Sequence, residues 1–165
     1  MSTLIRNRRI ENDDFIYVAD DAALPTTGKI IVSLARWQIE RAQLKATGLT
    51  VGVAIPNTYD VNEIAKELLD GDLIGLEFPS FGDGRAYSQA RILRDRFGFT
   101  GELRATGAAV VRDQMQSMAR IGINAFCLRG DQNPQLCLDA IEDFSLAYQP
   151  ATDRINSVMS RRRAG

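Results

Sequence analysis

Apolar residues along the chain fall into short continuous runs that alternate with longer segments in which they recur at helical spacing. The short runs are rich in β-branched residues and predict strands, whereas the longer segments predict amphipathic helices. The predicted strands cover residues 15–19, 29–34, 50–55, 73–78, 102–106 and 124–129. The predicted helices cover residues 35–47, 61–70, the segment after Asp83, 108–121 and 134–148. From residue 29 onward the pattern indicates five strand–helix units.

Strand–helix units that repeat every 20 to 30 residues or so are typical of α/β proteins with a mainly parallel sheet and right-handed crossovers. We therefore predict a single α/β domain over residues 1–150, followed by a mobile tail over residues 151–165. Two arrangements fit the pattern. One is an open, three-layer sheet with helices on both faces, which we slightly favour. The other is a curved half-barrel that would complete its burial as a homodimer.

The composition of the chain is that of a soluble globular protein, with 45% apolar and 25% charged residues. No apolar run is long enough to span a membrane, and the first residues lack the apolar core of a secretory signal, so we expect a cytoplasmic location. The formal net charge of −1 offers no general attraction for nucleic acid or an anionic membrane. Seventeen of the 20 basic residues are arginine, whose planar fork suits carboxylates and other oxyanions.

Several classes of chemistry are disfavoured by what the sequence lacks. The chain has no histidine, which is the commonest general base near neutral pH and the commonest ligand of catalytic zinc. Cys127 and Cys137 do not have the Cys-x-x-Cys spacing of a redox pair, and both lie at positions typical of structural residues. Gly82 and Gly84 form only a Gly-x-Gly, and no P-loop is present. No cofactor site is recognisable.

The junction between the strand 73–78 and the following helix is the first candidate site. Asp83 can cap the helix, and Gly84 can let another group approach the backbone. An oxyanion at this place would meet the free N–H groups of the helix and the guanidinium of Arg85. Tyr87, near the start of the helix, is a further candidate ligand contact. The alternative is a well-formed turn in which the arginines are solvated.

Charged residues at the ends of other strands could extend this site. Glu77, Arg104 and Arg129 lie on or at the ends of three predicted strands, and Arg36 follows a fourth. Ligands of parallel α/β proteins bind where the carboxyl ends of the strands meet the following helices, so these side chains could converge with Arg85 on one crevice. The alternative is a partly buried ion pair between Glu77 and Arg104 on neighbouring strands.

Several segments together resemble a bacterial protein family. They are "VSLARW" (32–37), "LEFPSFGDGRAYSQARILRDRFGFTGELRATG" (76–107), "VVRDQ" (110–114) and "FCLRGDQ" (126–132). The family is uncharacterised, and its members are labelled either as a domain of unknown function or as an oxidoreductase involved in sulfite reduction. The signature positions that the resemblance implies are Asp83, Gly84, Arg85, Tyr87, Ser88, Gln89, Arg91, Arg104, Asp113 and Gln114. For Asp113 and Gln114 we expect a polar contact to another helix or subunit.

The resemblance implies a role alongside assimilatory sulfate and sulfite reduction. Electron transfer requires a redox cofactor or a cysteine pair, and the residues indicate no site for either. Our leading hypothesis is therefore an accessory protein that binds a small oxyanion, or sulfite reductase or another sulfur-assimilation enzyme, through an arginine-lined site. The alternative is a small enzyme acting on an anionic sulfur metabolite, or a reductase using a diffusible flavin. In that enzyme Glu77, Asp83 or Tyr87 would be the acid or base.

Overall fold

Residues 3–143 are described by the computed structural model, and they form one eight-stranded sheet with five helices. The strands are β1 (Thr3–Arg6), β2 (Arg9–Asn12), β3 (Phe15–Tyr17), β4 (Lys29–Ser33), β5 (Thr50–Ile55), β6 (Leu73–Glu77), β7 (Glu102–Thr106) and β8 (Ala125–Cys127). The helices are α1 (Leu34–Ala46), α2 (Val61–Leu68), α3 (Arg85–Arg91), α4 (Arg112–Arg120) and α5 (Pro134–Glu142). The predicted end of the last helix and the predicted tail lie outside the described residues.

Every predicted strand and helix has a counterpart, and the strands that the sequence pattern missed are those of the hairpin, β1 and β2. Local signals set several helix starts. The side chain of Asp60 caps α2 by accepting from the N–H of Asn62, and Asn133 caps α5, where Pro134 occupies the first turn. After α3 the backbone continues as a π-helical segment, Ile92–Arg96, which the sequence did not predict.

The strand order β2-β1-β8-β7-β6-β5-β4-β3 decides between the two predicted arrangements. The strands from β3 to β8 are parallel and adjacent in chain order, and the antiparallel hairpin of β1 and β2 extends the sheet beside β8. Right-handed crossovers between neighbouring strands in unbroken order place every intervening helix on the same face. The sheet is therefore the curled half-barrel, and the slight preference for helices on both faces was wrong.

The main core lies between the outer face of the sheet and the helices. Ile30, Val53, Ile74 and Leu103 project from four strands into this core, where all are fully buried. Trp37 of α1 is also buried there, and its indole Nε1 donates to the carbonyl oxygen of Glu67 at 3.0 Å. None of the described helices is long and apolar enough to cross a membrane.

The inner face of the half-barrel is filled by side chains of the strands themselves. The register places Ile31, Gly52 and Leu73 side by side, and it places Gly75 beside Arg104. A Cβ atom at Gly52 would lie 2.8 Å from Cδ2 of Leu73, so the absence of a side chain there lets the neighbours close the interior. Arg104 also lies on this inner face, where it is completely buried.

The curl of the sheet is imposed by a very short connection. β2 and β3 are the two opposite edges of the sheet, yet only Asp13 and Asp14 separate them in the chain. Three Cα–Cα steps span at most about 11 Å, so the end of one edge strand must lie close to the start of the other. A flat sheet of eight strands would be several times too wide, because neighbouring strands lie about 4.8 Å apart.

Ion pairs hold this connection across the amino end of the half-barrel. We call them the closure cluster, which consists of Arg6, Asp13, Asp14, Lys29, Glu102 and Arg104. Arg104 donates to Oδ2 of Asp13 and to Oε1 of Glu102, both at 2.8 Å, and Arg6 donates to the other oxygen of Glu102 at 2.9 Å. Asp14 links Arg6 of β1 to Lys29 of β4. The cluster therefore ties the middle of the sheet to both of its edges.

Replacing the centre of the closure cluster should destabilise the protein. Arg104→Met keeps a side chain of similar length but leaves the carboxylates of Asp13 and Glu102 partly buried without their main cation. We expect the free energy of unfolding to fall by about 3 kcal/mol in chemical denaturation. Arg91→Met, which removes an exposed ion pair with Asp95, should change it by less than about 0.5 kcal/mol. Equal losses in the two variants would contradict the role given to the cluster.

Candidate functional site

The loops that follow β6, β7 and β8 are hydrogen-bonded to one another along the carboxyl edge of the sheet. The N–H of Phe78 donates to the carbonyl oxygen of Thr106 at 2.8 Å, and the N–H of Ala109 donates back to the carbonyl of Phe78 at 3.0 Å. The N–H of Arg129 donates to the carbonyl of Val110 at 3.3 Å. These backbone bonds make the edge a connected platform beside the start of α3, where several of the predicted site residues lie.

Gly107 is the position at which this platform is packed most tightly. Its φ angle is +107°, and a Cβ atom added there would lie 2.5 Å from the carbonyl oxygen of Phe78. An L-amino acid would therefore suffer both backbone strain and a collision with main-chain atoms that cannot move aside. The glycine lets the loops after β6 and β7 approach each other.

Asp83 and Arg85 form a bidentate ion pair at the start of α3. Oδ1 of Asp83 accepts from Nε of Arg85 at 3.0 Å and from its backbone N–H at 3.2 Å, and Oδ2 accepts from Nη2 at 2.7 Å. Asn57 donates to the same Oδ2 at 2.7 Å. The side chain and the backbone N–H of Arg85, together with Asn57, hold the pKa of Asp83 far below its usual range.

This pair differs from the predicted arrangement in two respects. The residue at the cap position of α3 is Gly84, and Asp83 lies one residue earlier, where it binds the N–H of Arg85. From the sequence we expected the charge of Arg85 to bind an oxyanion, but Asp83 already neutralises this charge. The side chain of Arg85 nevertheless remains 59% exposed and can still make contacts outside the molecule.

A cleft of about 270 Å³ lies between the β5–α2 loop and α3. We call it the signature cleft because Arg85, Ser88 and Gln89 of the predicted set line one side of it. The other lining residues are Asn57, Thr58, Tyr59, Asp60, Val61 and Ile92. The amide nitrogen of Gln89 donates to the carbonyl oxygens of Pro56 at 3.0 Å and Tyr59 at 2.9 Å. Gln89 thus fixes the loop that forms the opposite wall.

Tyr87 is turned away from the signature cleft toward α4. Its hydroxyl donates to Oε1 of Gln114 at 2.6 Å, and its ring packs edge-on against Phe78 with 5.1 Å between the ring centroids. Burial raises the pKa of the Tyr87 hydroxyl. Gln114 therefore makes a polar contact to another helix, as expected from the sequence, while Asp113 is exposed to solvent.

The other predicted site residues do not converge on Arg85. Arg36 is buried and holds the β3–β4 loop to α1, donating to the carbonyl of Ala19 at 2.5 Å and to Glu40 at 3.0 Å. Arg104 belongs to the closure cluster near the amino end of the strands. Arg91 pairs with Asp95 on the exposed side of the helix.

Two further expectations about charged residues have clear outcomes. The ion pair considered between Glu77 and Arg104 does not form, because Arg104 is occupied by Asp13 and Glu102, and Glu77 is exposed at the end of β6. Arg129 lies at the carboxyl edge but pairs with Asp131 at 2.6 Å. The cationic side chains of the edge are thus matched locally by acids two residues away in the chain.

Sequence reasoning also missed residues that shape the site. Asn57, Tyr59 and Asp60 contribute to the wall of the signature cleft, and none of them belongs to the predicted site. They lie in or next to the loop that follows β5, and no local pattern in the sequence indicates that this loop faces α3. That proximity comes from the pairing of β5 with β6, which brings their following loops together.

Neither cysteine has the environment of a reactive thiol. Cys137 is fully buried, in agreement with its predicted place in the core. Burial of Cys127 raises the pKa of its thiol to about 11, which keeps it protonated at neutral pH. Within residues 3–143, no group of three or more His, Cys, Asp or Glu residues is placed to hold a metal ion.

These features define a single-sheet α/β half-barrel with a cleft at the carboxyl edge of its parallel strands. Comparison with family models gives its family: the chain belongs to the bacterial proteins of unknown function grouped as DUF934, whose model matches residues 52–159. The matched part includes all three loops of the platform and the whole of α3. Comparisons with curated proteins and with solved structures give no match.

The tight approach at Gly107 can be tested with two alanine substitutions. Gly107→Ala should lower the free energy of unfolding by about 2–3 kcal/mol, because the new Cβ meets the backbone of Phe78 and the positive φ is strained. Gly130→Ala is the matched control, since a Cβ at Gly130 has open space around it and the φ of that residue is not positive. Denaturation curves that place the two variants within about 0.5 kcal/mol of each other would refute this explanation.

The Asp83–Arg85 pair predicts a specific acid titration. Carboxyl-carbon NMR should find the midpoint of Asp83 well below the ordinary aspartate value of about 3.9. Because the folded-state pKa is depressed, the pair stabilises the fold above that ordinary value, and this stabilisation is lost as the pH falls through the folded pKa. In Arg85→Ala the midpoint should move up toward the ordinary value. An unchanged midpoint in that variant would contradict the assignment of Arg85 as the main cause.

Proposed function

We propose that this protein is a non-redox accessory protein of assimilatory sulfite reduction, and that it docks sulfite reductase or another sulfur-assimilation enzyme through its carboxyl edge. The link to sulfite reduction rests on the sequence resemblance. The docking role rests on the residues exposed at this edge.

The observation that carries the docking role is a pair of exposed side chains, one in the connection between β6 and α3 and one at the first residue of α3. Phe81 is 59% exposed, although it is a large apolar residue, and Arg85 is exposed to the same extent four residues later. Aromatic residues and arginine are the types most enriched at the centres of protein interfaces. Their combination on a hydrogen-bonded platform favours protein recognition.

Arg85 is already held in position before any partner arrives. Asp83 fixes the guanidinium through Nε and Nη2, so docking would lose little side-chain entropy. Asp83 does not bind the Nη1 group, which can therefore donate to a carbonyl oxygen of a partner. A free oxyanion is less favoured as the ligand, because the carboxylate of Asp83 lies beside the same guanidinium and repels a second anion.

The enzyme alternative draws less support from two of the three groups that it would use as acid or base. Asp83 stays ionised to a pH far below neutrality, and Tyr87 stays protonated and donates to Gln114. General acid–base catalysis works best when the pKa of the group lies near the operating pH. Accessory binding is therefore the better proposal.

Affinity capture from the natural host grown on sulfate tests the proposed function. The tagged full-length protein should recover an enzyme of sulfur assimilation, identified by mass spectrometry. Phe81→Ala and Arg85→Ala should each reduce its recovery at least about tenfold, which corresponds to about 1.4 kcal/mol. Lys66→Ala removes an exposed cation from α2, outside the platform, and should recover the enzyme as the parent does.

Two outcomes would overturn the proposal. If no sulfur-assimilation enzyme is recovered, the proposed link to sulfite reduction is wrong. If the parent, Phe81→Ala and Arg85→Ala recover equal amounts, the carboxyl edge is not the docking surface. Circular dichroism of each variant establishes that a loss of recovery does not come from a loss of fold.

A further inference from the structure

A larger cavity, of about 500 Å³, lies at the amino end of β7 and β8, away from the carboxyl edge. We call it the amino-end cavity. The segments that immediately precede β7 and β8 line it, and so does the turn between β1 and β2. The N–H of Asn7 in that turn donates to the carbonyl oxygen of Asn124 at 2.8 Å, which fixes one wall against another. The volume lies within the range of about 300–1,000 Å³ that is usual for small-molecule sites.

Part of the wall of the amino-end cavity is apolar. Four side chains of the hydrophobic core also line the cavity, namely Phe99, Ile123, Phe126 and Ile141. Removing the apolar surface of a ligand from water contributes roughly 25 cal/mol for each Å² that is buried. These side chains therefore suit the apolar body of a small molecule.

Arg94 brings a positive charge to the same wall. Its guanidinium donates to the carbonyl oxygen of Gly122 through Nε and Nη2, and to those of Phe99 and Gly101 through Nη1. No carboxylate within residues 3–143 forms an ion pair with it, and burial lowers the pKa of the guanidinium. The carbonyl groups satisfy its N–H groups but do not neutralise its charge. Partly buried charges are usually paired, so this one favours an anion in the cavity.

Arg8 supplies a second cation, which is exposed and also lines the cavity. It makes no hydrogen bond or ion pair with any residue of the described chain. Its φ angle is +62°, at a turn position where hairpins favour glycine, so the turn accepts backbone strain in order to carry this side chain. Asp95, an acid of the same lining, pairs with Arg91 outside the cavity at 3.6 Å. The described lining therefore has an excess of positive charge.

We propose that the amino-end cavity binds a small organic carboxylate with an apolar body. The carboxylate lies beside the guanidinium of Arg8, in the positive field to which Arg94 contributes, and the apolar body packs against Phe99 and Phe126. This inference goes beyond the proposed function and does not depend on it, because the cavity lies away from the docking edge and is tested on the purified protein alone.

NMR titration of the uniformly ¹⁵N-labelled full-length protein with sodium 3-phenylpropionate tests the site. The backbone amides of Gly98, Gly122 and Asn124, which line the cavity, should shift and saturate at millimolar ligand. The alcohol 3-phenylpropan-1-ol and the cation 3-phenylpropylammonium have the same apolar body without the negative charge. Each should bind at least about fivefold more weakly, because it loses a charge-assisted contact to arginine.

Three outcomes of these titrations would overturn the proposal. If 3-phenylpropionate gives no saturable shift at the three reporters, the site does not exist. If the alcohol or the ammonium compound binds as tightly as the carboxylate, the cavity does not select a negative charge. Sodium acetate has the carboxylate without the apolar body and should give no saturable shift, so acetate binding equal to that of 3-phenylpropionate would refute the role of the apolar wall.

Variants separate the charge of the cavity from its shape. Arg8→Gly removes the cation and places glycine where a positive φ favours it, so the melting temperature should be no lower than that of the parent. Its binding of 3-phenylpropionate should be at least about fivefold weaker. Arg9→Gln is the matched control, because it removes an exposed cation one residue further along the chain, outside the lining, and it should bind as the parent does. Unchanged binding in Arg8→Gly would refute the assigned charge.

Thr100→Trp tests the cavity itself. Thr100 is an exposed loop residue of the lining, so a tryptophan there should fill the space and weaken binding at least about fivefold without entering the core. A melting temperature near that of the parent establishes that the variant is folded. A folded Thr100→Trp protein that binds 3-phenylpropionate as the parent does would refute the assignment of the ligand to this cavity.

Discussion

The curvature of the sheet depends on the connection of only two residues between its opposite edges. Asp13 and Asp14 cannot span a flat sheet of eight strands, so the sheet must curl until β2 and β3 approach each other. The same two acids bind Arg104 from the middle of the sheet and Arg6 and Lys29 from its flanks. One short segment therefore sets the geometry and supplies the charges that stabilise it.

The two ends of the half-barrel are stabilised by different kinds of contact. The amino end is occupied by the closure cluster, where a completely buried arginine is compensated by two carboxylates. The carboxyl end is formed by loops that bond to one another through their backbones, which frees their side chains for contacts elsewhere. Arg104 is a signature position, but it does not lie near Arg85, because the two residues are at opposite ends of the half-barrel.

The segment from Asp83 to Arg91 combines residues that pack against neighbouring elements with a residue that stays exposed. Tyr87 and the amide nitrogen of Gln89 hold α3 to α4 and to the β5–α2 loop. The side chain of Arg85, at the first residue of the same helix, remains exposed. The packing of its neighbours therefore fixes the backbone from which this exposed side chain projects.

The sequence by itself determined the α/β class and most of the secondary structure, because hydrophobic period, helix caps and turn residues act over a few neighbouring positions. It also indicated the segment from Asp83 to Arg91 as a candidate site, which stays a prediction. Only the tertiary structure decided the curvature, the partner of each arginine and the walls of the cleft. Arg104 meets Asp13 across 91 residues of chain, and Gln89 meets Pro56 across 33. Those contacts depend on strand order and register, for which no local pattern in the sequence carries the information.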